Sequence, residues 1–313
     1  MRAAALAVAG MTLVASGARI ASAEQSHLVI VVGLGGEKKY SDAFREMAVS
    51  MVGAAEKKLG LDPAHIVSLG EAEATRESVQ KALREVAVRA APGDVVFILL
   101  IGHGSYQQGE SRFNLRGPDM TAADFVPLLD ALASRTVVFV NTASASGDFV
   151  KALAGKDRAI VTATKSAQER NETTFARHFV DAFATGGADG DKDERVSVLE
   201  AFEYARREVQ RFYEKERRLL TEHAVLEDGR EGALARTVFL ASGEGGTQTA
   251  DAGDPGLAAL RQERRDAERR LDALKARKGT TPAASYEEEL ETLLLELARK
   301  DAEIRRREAA KRP

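Results

Sequence analysis

Length, composition and charge place this chain among ordinary globular proteins and exclude several classes of function. It has 313 residues, an apolar fraction of 44% and a net charge of −3, so its charge does not favour nucleic-acid binding. It contains no cysteine, which excludes a disulfide framework, a thiolate metal site, a lipoprotein anchor and a thiol nucleophile.

Residues 1–23 have the composition of a signal peptide. Arg2 precedes an apolar run, and Ala21-Ser22-Ala23 forms a small-residue cleavage site before Glu24. The alternative is an N-terminal membrane anchor, but the run is shorter than the roughly 20 residues that a bilayer requires. We therefore expect export, most simply to a bacterial periplasm, with no membrane span in the mature protein.

The segment from 24 to 243 predicts one α/β domain. Unbroken apolar runs indicate buried strands, and residues at helical spacing separate them. In chain order the predicted strands are 28–33, 65–69, 95–101, 136–141, 158–163 and 237–241, and the predicted helices are 41–59, 75–90, 121–133, 149–154, 173–184 and 198–217. This alternation predicts a mostly parallel sheet with helices on both faces.

Two of these strands end in residues that carry chemistry. The run from 95 to 101 stops at Gly102-His103-Gly104-Ser105, and the run from 136 to 141 is followed by a turn containing Ser144. In one βαβ unit the two turns lie side by side at the carboxyl edge of the sheet, where open α/β folds keep their sites. The sequence therefore predicts a histidine and a small hydroxyl residue together at this edge.

These stretches resemble motifs of the caspase-like clan, and especially of its legumain branch, peptidase family C13. Gly102-His103-Gly104-Ser105 is similar to the histidine motif, and Ala143-Ser144-Ala145-Ser146-Gly147 matches the legumain nucleophile motif Ala-Cys-Glu-Ser-Gly. The histidine precedes the nucleophile position by 41 residues, close to the caspase spacing. The resemblance covers roughly residues 26–185 and implies a caspase-like fold, with Ser144 in place of the nucleophile cysteine.

The resemblance implies a role for each residue of the site. His103 would be the general base, Ser144 the nucleophile, and the backbone N–H groups of Gly104 and Ser144 an oxyanion hole. An alcohol is much harder to ionise than a thiol, whose pKa is about 8.5, and it usually needs a base that a third group orients. We can name no Asp or Glu in the sequence that must orient His103.

We therefore expect a pseudopeptidase that binds a peptide or protein partner. One alternative is an active serine hydrolase that uses the same residues. The other is a scaffold in which the α/β domain only displays the C-terminal helices.

Residues 189–200 follow the ligand pattern of a calcium-binding EF-hand loop. Oxygen ligands fall at positions 1, 3, 5, 7, 9 and 12, supplied by Asp189, Asp191, Asp193, the Arg195 carbonyl, Ser197 and Glu200. Two features depart from the pattern, because Glu194 occupies the place of the turn glycine and Gly186-Gly187 interrupts the entering helix. The alternative is an acidic, solvated start of the next helix, which the helix dipole favours.

The C-terminal part begins with a linker at 244–254 and continues with two charged helical runs within 255–313. Leucines recur at heptad spacing in both runs, and Gly279-Thr280-Thr281-Pro282 separates them. This pattern predicts an antiparallel helical hairpin. Its apolar stripe is narrow, so we expect association with a partner or with a second copy. The alternative is a solvated, partly ordered tail.

Overall fold

The structure is a computed structural model that describes residues 25–132, 135–193, 195–240, 255–277 and 282–310. The predicted signal peptide, the linker at 244–254 and position 194 of the acidic loop lie outside the described residues. Export and signal cleavage therefore stay predictions.

Nine strands form two sheets. In chain order they are β1 Ser26–Val32, β2 Ile66–Leu69, β3 Val95–Ile101, β4 Gly104–Gln107, β5 Glu110–Phe113, β6 Met120–Thr121, β7 Thr136–Asn141, β8 Arg158–Thr162 and β9 Val225–Glu227. The large sheet has the order β2-β1-β3-β7-β8-β9, in which β9 alone runs antiparallel to its neighbour. The small antiparallel sheet, β4-β5-β6, begins directly after His103.

Helices connect the strands and cover the sheet. They are α1 Lys38–Lys57, α2 Arg76–Arg89, α3 Ala122–Asp130, α4 Asp148–Leu153, α5 Phe175–Thr185, α6 Val198–Lys215, α7 Ala233–Thr237, α8 Pro255–Ala276 and α9 Ala283–Ala310. Polar residues determine where three of these helices begin. Capping boxes at Thr75, Thr121 and Ser197 satisfy the first backbone N–H groups of α2, α3 and α6, respectively.

Successive side chains of β3 enter two different cores. Phe97, Leu99 and Ile101 pack with α1, α5 and α6, whereas Val96 and Leu100 pack with α2, α3 and α4 on the other face. Side chains of a strand alternate between faces, so a strand that is apolar at every position must be covered on both. This confirms the predicted α/β class, and the mostly parallel sheet with helices on both sides is consistent with a caspase-like fold.

The predicted edge strand at 237–241 is wrong. The chain forms α7 up to Thr237, and the edge strand is β9, earlier in the sequence. The cause is Asp228, a buried carboxylate that accepts the N–H groups of Leu234 and Ala235 and so caps α7. Beyond the helix, Phe239 forms only an isolated bridge with Ser197.

The two C-terminal helices form the predicted antiparallel hairpin. Leu257 and Leu260 of α8 pack against Ile304 near the end of α9, while Leu271 and Leu274 pack against Leu293. Ion pairs flank this contact, as between Arg264 Nε and Asp301 Oδ1 at 2.7 Å. In the ranges that the structure describes, no helix has both the length and the apolar character to cross a bilayer.

Candidate active site

The structure places the two predicted turns side by side. Strands β3 and β7 are paired in parallel, with Leu100 opposite Asn141, so the turns that follow them leave the same edge of the sheet. Thr142 ties the second turn to the first strand, because its N–H and its hydroxyl both donate to the Leu100 carbonyl, at 3.1 and 2.7 Å. The expected pairing of strand ends is therefore observed.

Ser144 contacts Gly104 directly. The Ser144 hydroxyl donates to the Gly104 carbonyl oxygen at 3.0 Å, and the Gly104 N–H lies 3.4 Å from the same hydroxyl oxygen. The serine is only 5% exposed. Its single proton is thus held by a backbone carbonyl inside the turn.

Gly104 is required by this close approach. A Cβ atom at position 104 would lie 2.2 Å from the Ser144 carbonyl oxygen and 3.0 Å from the Arg112 carbonyl oxygen. Any larger residue would therefore push the two turns apart.

The backbone after Ser144 is held in an unusual conformation. Ala145 has a φ of +53°, in the left-handed region, and its N–H donates to the Glu169 carbonyl at 2.7 Å. Within the described part of the chain, the N–H of Ser144 itself donates to no protein acceptor. This turn therefore leaves one backbone donor uncommitted beside the serine, as an oxyanion hole requires.

The ring of His103, which follows β3, packs against two aromatic side chains of α1. Its ring meets the edges of Tyr40 and Phe44 at centroid distances of 4.7 and 5.0 Å. Burial lowers the pKa of His103 below its ordinary value of 6.5, against the smaller opposing effects of Glu172 and of a hydrogen bond with the Gly35 backbone. The ring is therefore neutral at pH 7 and chemically suited to accept a proton.

His103 and Ser144 do not form the expected hydrogen bond. Across the described residues, the hydrogen bonds of the Ser144 side chain go to Gly104, and the ring of His103 interacts with Gly35. The two residues are neighbours at the sheet edge, but the base does not hold the hydroxyl proton.

The backbone of Gly35 opposes the lowering of the His103 pKa, an influence that the sequence did not reveal. The turn that carries Gly35 is fixed by Glu71, whose Oε1 accepts the Gly35 N–H at 3.0 Å. Glu71 lies in the loop after β2, 36 residues beyond Gly35 in the sequence. Neither periodicity nor spacing in the sequence therefore connects Glu71 with His103.

A second glutamate, Glu169, supports the serine turn through its backbone, a role that the sequence did not reveal. Glu169 accepts the Ala145 N–H with its carbonyl, and its side chain contacts His223 Nδ1 at 2.5 Å. Its Oε2 also accepts the N–H of His223 at 3.1 Å. Glu169 therefore joins the turn after Ser144 to the loop that precedes β9.

The neighbouring Glu222 has a structural role. It is buried, and it accepts the N–H groups of Thr174 and Phe175 at the start of α5, at 2.8 and 3.3 Å. Burial raises the pKa of Glu222, and these hydrogen bonds oppose the shift. The segment from 221 to 224 is thus a loop that caps a helix.

The acidic loop brings together three of its predicted calcium ligands. Carboxylate oxygens of Asp189, Asp191 and Asp193 lie within 4.8 Å of one another. Burial, followed by the charge of Asp191, raises the pKa of Asp193 to about 6. Closely spaced carboxylate oxygens are hard donors of the kind that Ca²⁺ binds, and a bound cation would offset their mutual repulsion.

The other predicted ligands are outside this group of three carboxylates. Glu200 Oε2 forms a capping box with Ser197 at the start of α6, and its Oε1 accepts the N–H of Gly190 in the acidic loop at 3.0 Å. At Arg195 the predicted ligand is the backbone carbonyl, and the N–H of the same residue donates to Asp193 Oδ1 at 2.8 Å. Bidentate calcium coordination by Glu200 would compete with these hydrogen bonds.

Comparison with known proteins finds distant structural likeness and no sequence relative. No family model and no curated protein matches the chain. Protein GSU0716 from Geobacter sulfurreducens is 12% identical with a TM-score of 0.46, covering 68% of this chain and 97% of that one. Caspase-1 from Spodoptera frugiperda is 9% identical with a TM-score of 0.42, covering 66% of this chain and 88% of that one. At these identities the likeness does not extend to side-chain chemistry.

Proposed function

We propose that this chain is an exported protein of caspase-like and legumain-like design that binds peptides or proteins and has little or no peptidase activity. The residues assigned to the site are His103, Ser144 and Gly104. The resemblance of their motifs supports the assignment, and the contact between the two strand ends gives it a physical basis.

One observation carries the proposal: the Ser144 hydroxyl donates to the Gly104 carbonyl instead of to His103. A serine nucleophile needs a base within roughly 2.6–3.2 Å to remove its proton as it attacks. Here the base is neutral and available, yet the proton is committed elsewhere. The hydroxyl would have to leave a formed hydrogen bond before it could react.

Backbone donors beside the serine favour a peptide as the bound molecule. The Ser144 N–H is uncommitted within the described residues, and the Gly104 N–H makes only a long contact with the serine hydroxyl. Backbone N–H donors beside the serine suit a carbonyl oxygen, which every peptide supplies.

The test uses purified residues 24–313 with a library of fluorogenic peptides that includes Asn and Asp before the reporter group. We expect fluorescence anisotropy to detect saturable binding without release of the reporter. Turnover by the wild type that Ser144→Ala and His103→Ala both abolish would instead establish a serine hydrolase. Absence of any peptide binding would favour the scaffold alternative.

Two further proposals accompany this one. We propose that the acidic loop binds Ca²⁺ through Asp189, Asp191 and Asp193, which the clustering of these carboxylates supports. We also propose self-association through the C-terminal helices, which the exposure of Leu294 and Leu295 on α9 supports.

A further inference from the structure

A cavity of about 730 Å³ lies beside the candidate site. One face of α1 forms a wall, and the end of β1 and the loop after β2 form the others. Small-molecule sites occupy roughly 300–1,000 Å³ and occur at the carboxyl ends of strands in α/β folds. The cavity has both this size and this position.

One part of the cavity lining is apolar. Val32, Ala48 and Val52 line it, and Leu34 and Val49 stand at its rim with 42% and 66% of their surface exposed. Large apolar side chains exposed around one cavity indicate a surface that gains free energy when a ligand covers it.

The cavity also contains guanidinium donors that the protein does not use. Arg116 donates from Nη1 to the Ala72 carbonyl at 3.1 Å. Its Nε and Nη2 donate to no protein acceptor, and it forms no ion pair, within the residues that the structure describes. Arg45, by contrast, is paired with Asp42 at 2.8 Å.

Two carboxylates also line the cavity, but each already accepts a backbone N–H group. Glu71 accepts from Gly35 at 3.0 Å, and Glu73 accepts from Gly70 at 3.2 Å. Each carboxylate keeps a second oxygen, and the hydroxyls of Ser41 and Ser68 also line the cavity, so Arg116 stands out as the basic group with unused N–H donors. A planar guanidinium with unused N–H groups matches a carboxylate, which it can bind through two parallel hydrogen bonds.

We propose that this cavity binds a small molecule with an apolar body and a carboxylate head. The body packs against Val32, Val49 and Val52, and the head pairs with Arg116. This site is separate from Ser144 and does not depend on the proposed function.

The test is calorimetric titration of the full mature chain with decanoate and with decyltrimethylammonium, which has the same chain length and the opposite charge. We expect saturable decanoate binding with an affinity at least tenfold above that of the cation. Because Glu71 and Glu73 would favour a cation if Arg116 did not dominate, equal or tighter binding of decyltrimethylammonium overturns the proposal. Absence of decanoate binding overturns it as well.

Two variants locate the ligand. Arg116→Gln and Val49→Asp both change exposed side chains, so the fold should tolerate them, and each should weaken decanoate binding at least tenfold. The matched control is Val88→Asp, which places the same charge on α2 at a side chain that is 88% exposed and does not line the cavity. Unchanged affinity in Val49→Asp would place the ligand elsewhere and refute the assignment.

Discussion

The hydroxyl of Ser144 donates a hydrogen bond to the carbonyl oxygen of Gly104 at 3.0 Å, which joins the turn after β7 to the turn after β3. A neutral hydrogen bond of this kind contributes about 0.5–1.5 kcal/mol to stability. It also removes the hydroxyl proton from the reach of His103. The same contact therefore favours the fold and opposes nucleophilic attack.

Replacing Ser144 with cysteine should create cleavage. A thiol is a weak hydrogen-bond donor, so breaking its contact with the Gly104 carbonyl costs less free energy than breaking that of a hydroxyl. With a pKa near 8.5 it also forms an anion far more readily than an alcohol. We expect Ser144→Cys to release the reporter from fluorogenic peptides that carry Asn or Asp before it, at a rate at least 100-fold above the wild type.

The control for this experiment is Ser144→Cys combined with His103→Ala, which keeps the thiol and removes the base. Cleavage should fall back to the level of the wild type. An inactive cysteine variant that still binds peptide would show that the arrangement of His103, and not the nucleophile alone, prevents turnover.

Gly104→Ala should destabilise the protein. The added Cβ would stand 2.2 Å from the Ser144 carbonyl oxygen, a distance that forces the two turns apart. Such overpacking typically costs about 1–3 kcal/mol, which urea unfolding can measure. The control is Gly53→Ala in α1, where the added Cβ meets nothing within 4 Å and where alanine favours the helix by up to about 1 kcal/mol. Equal effects of the two substitutions would contradict the close approach.

Removing Glu71 should lower the pKa of His103 further. The hydrogen bond with the Gly35 backbone raises that pKa, and Glu71 holds the turn that carries Gly35. We expect a lower midpoint for the His103 Hε1 resonance in an NMR titration of Glu71→Ala. Glu71→Gln retains an acceptor for the Gly35 N–H, so its midpoint should stay closer to that of the wild type. An unchanged midpoint in Glu71→Ala would remove Glu71 as a positioning residue.

Sequence reasoning could predict the fold because its signals are periodic. The unbroken apolar run from Val95 to Ile101 required cover on both faces, and the structure supplies it. The prediction failed at α7, because the apolar residues around position 238 have the pattern of a strand. A carboxylate outside that stretch, Asp228, provides the cap that makes the preceding residues helical.

The site was predictable only where its residues follow a strand. His103 and Ser144 could be placed at one edge because parallel strands end together. Glu71 and Glu169 lie in loops, and their hydrogen bonds connect distant parts of the chain without any pattern in the sequence. The direction of the Ser144 proton was equally hidden, because it depends on a distance between two turns that no local rule determines.

The C-terminal hairpin should associate through an apolar pair on α9. Leu294 and Leu295 are 49% and 50% exposed, whereas Leu293 is buried against α8. In sedimentation velocity experiments we expect the mature chain to form a dimer or larger assembly, and Leu294→Lys with Leu295→Lys to be monomeric. The control is Leu219→Lys, which changes an apolar side chain that is 87% exposed outside the hairpin. A wild type that stays monomeric at high concentration would end the association hypothesis.

The acidic loop should be a source of instability when calcium is absent. The pKa of Asp193 is raised to about 6 from an ordinary value of 3.8. The folded state therefore holds this proton more tightly than the unfolded state does. The destabilisation is complete above pH 6 and fades as the pH falls towards 3.8. In a chelator at pH 7, Asp193→Asn should melt at a higher temperature than the wild type, and near pH 4 the difference should shrink.

In calcium, the wild type should melt at a higher temperature than Asp193→Asn. A site that lacks the turn glycine is expected to be weak, with a Kd on the order of 10⁻⁴–10⁻³ M as in extracellular modules. At a free concentration 100 times Kd, binding would stabilise the wild type by about 2.7 kcal/mol, and Asp193→Asn should gain much less.

Glu200→Ala is a poorer probe, because Glu200 also forms the capping box of α6. The matched control is Glu46→Gln, which removes one exposed carboxylate from α1 and should leave the calcium response intact. Identical melting curves for the wild type in calcium and in chelator would leave residues 189–200 as the acidic start of a helix.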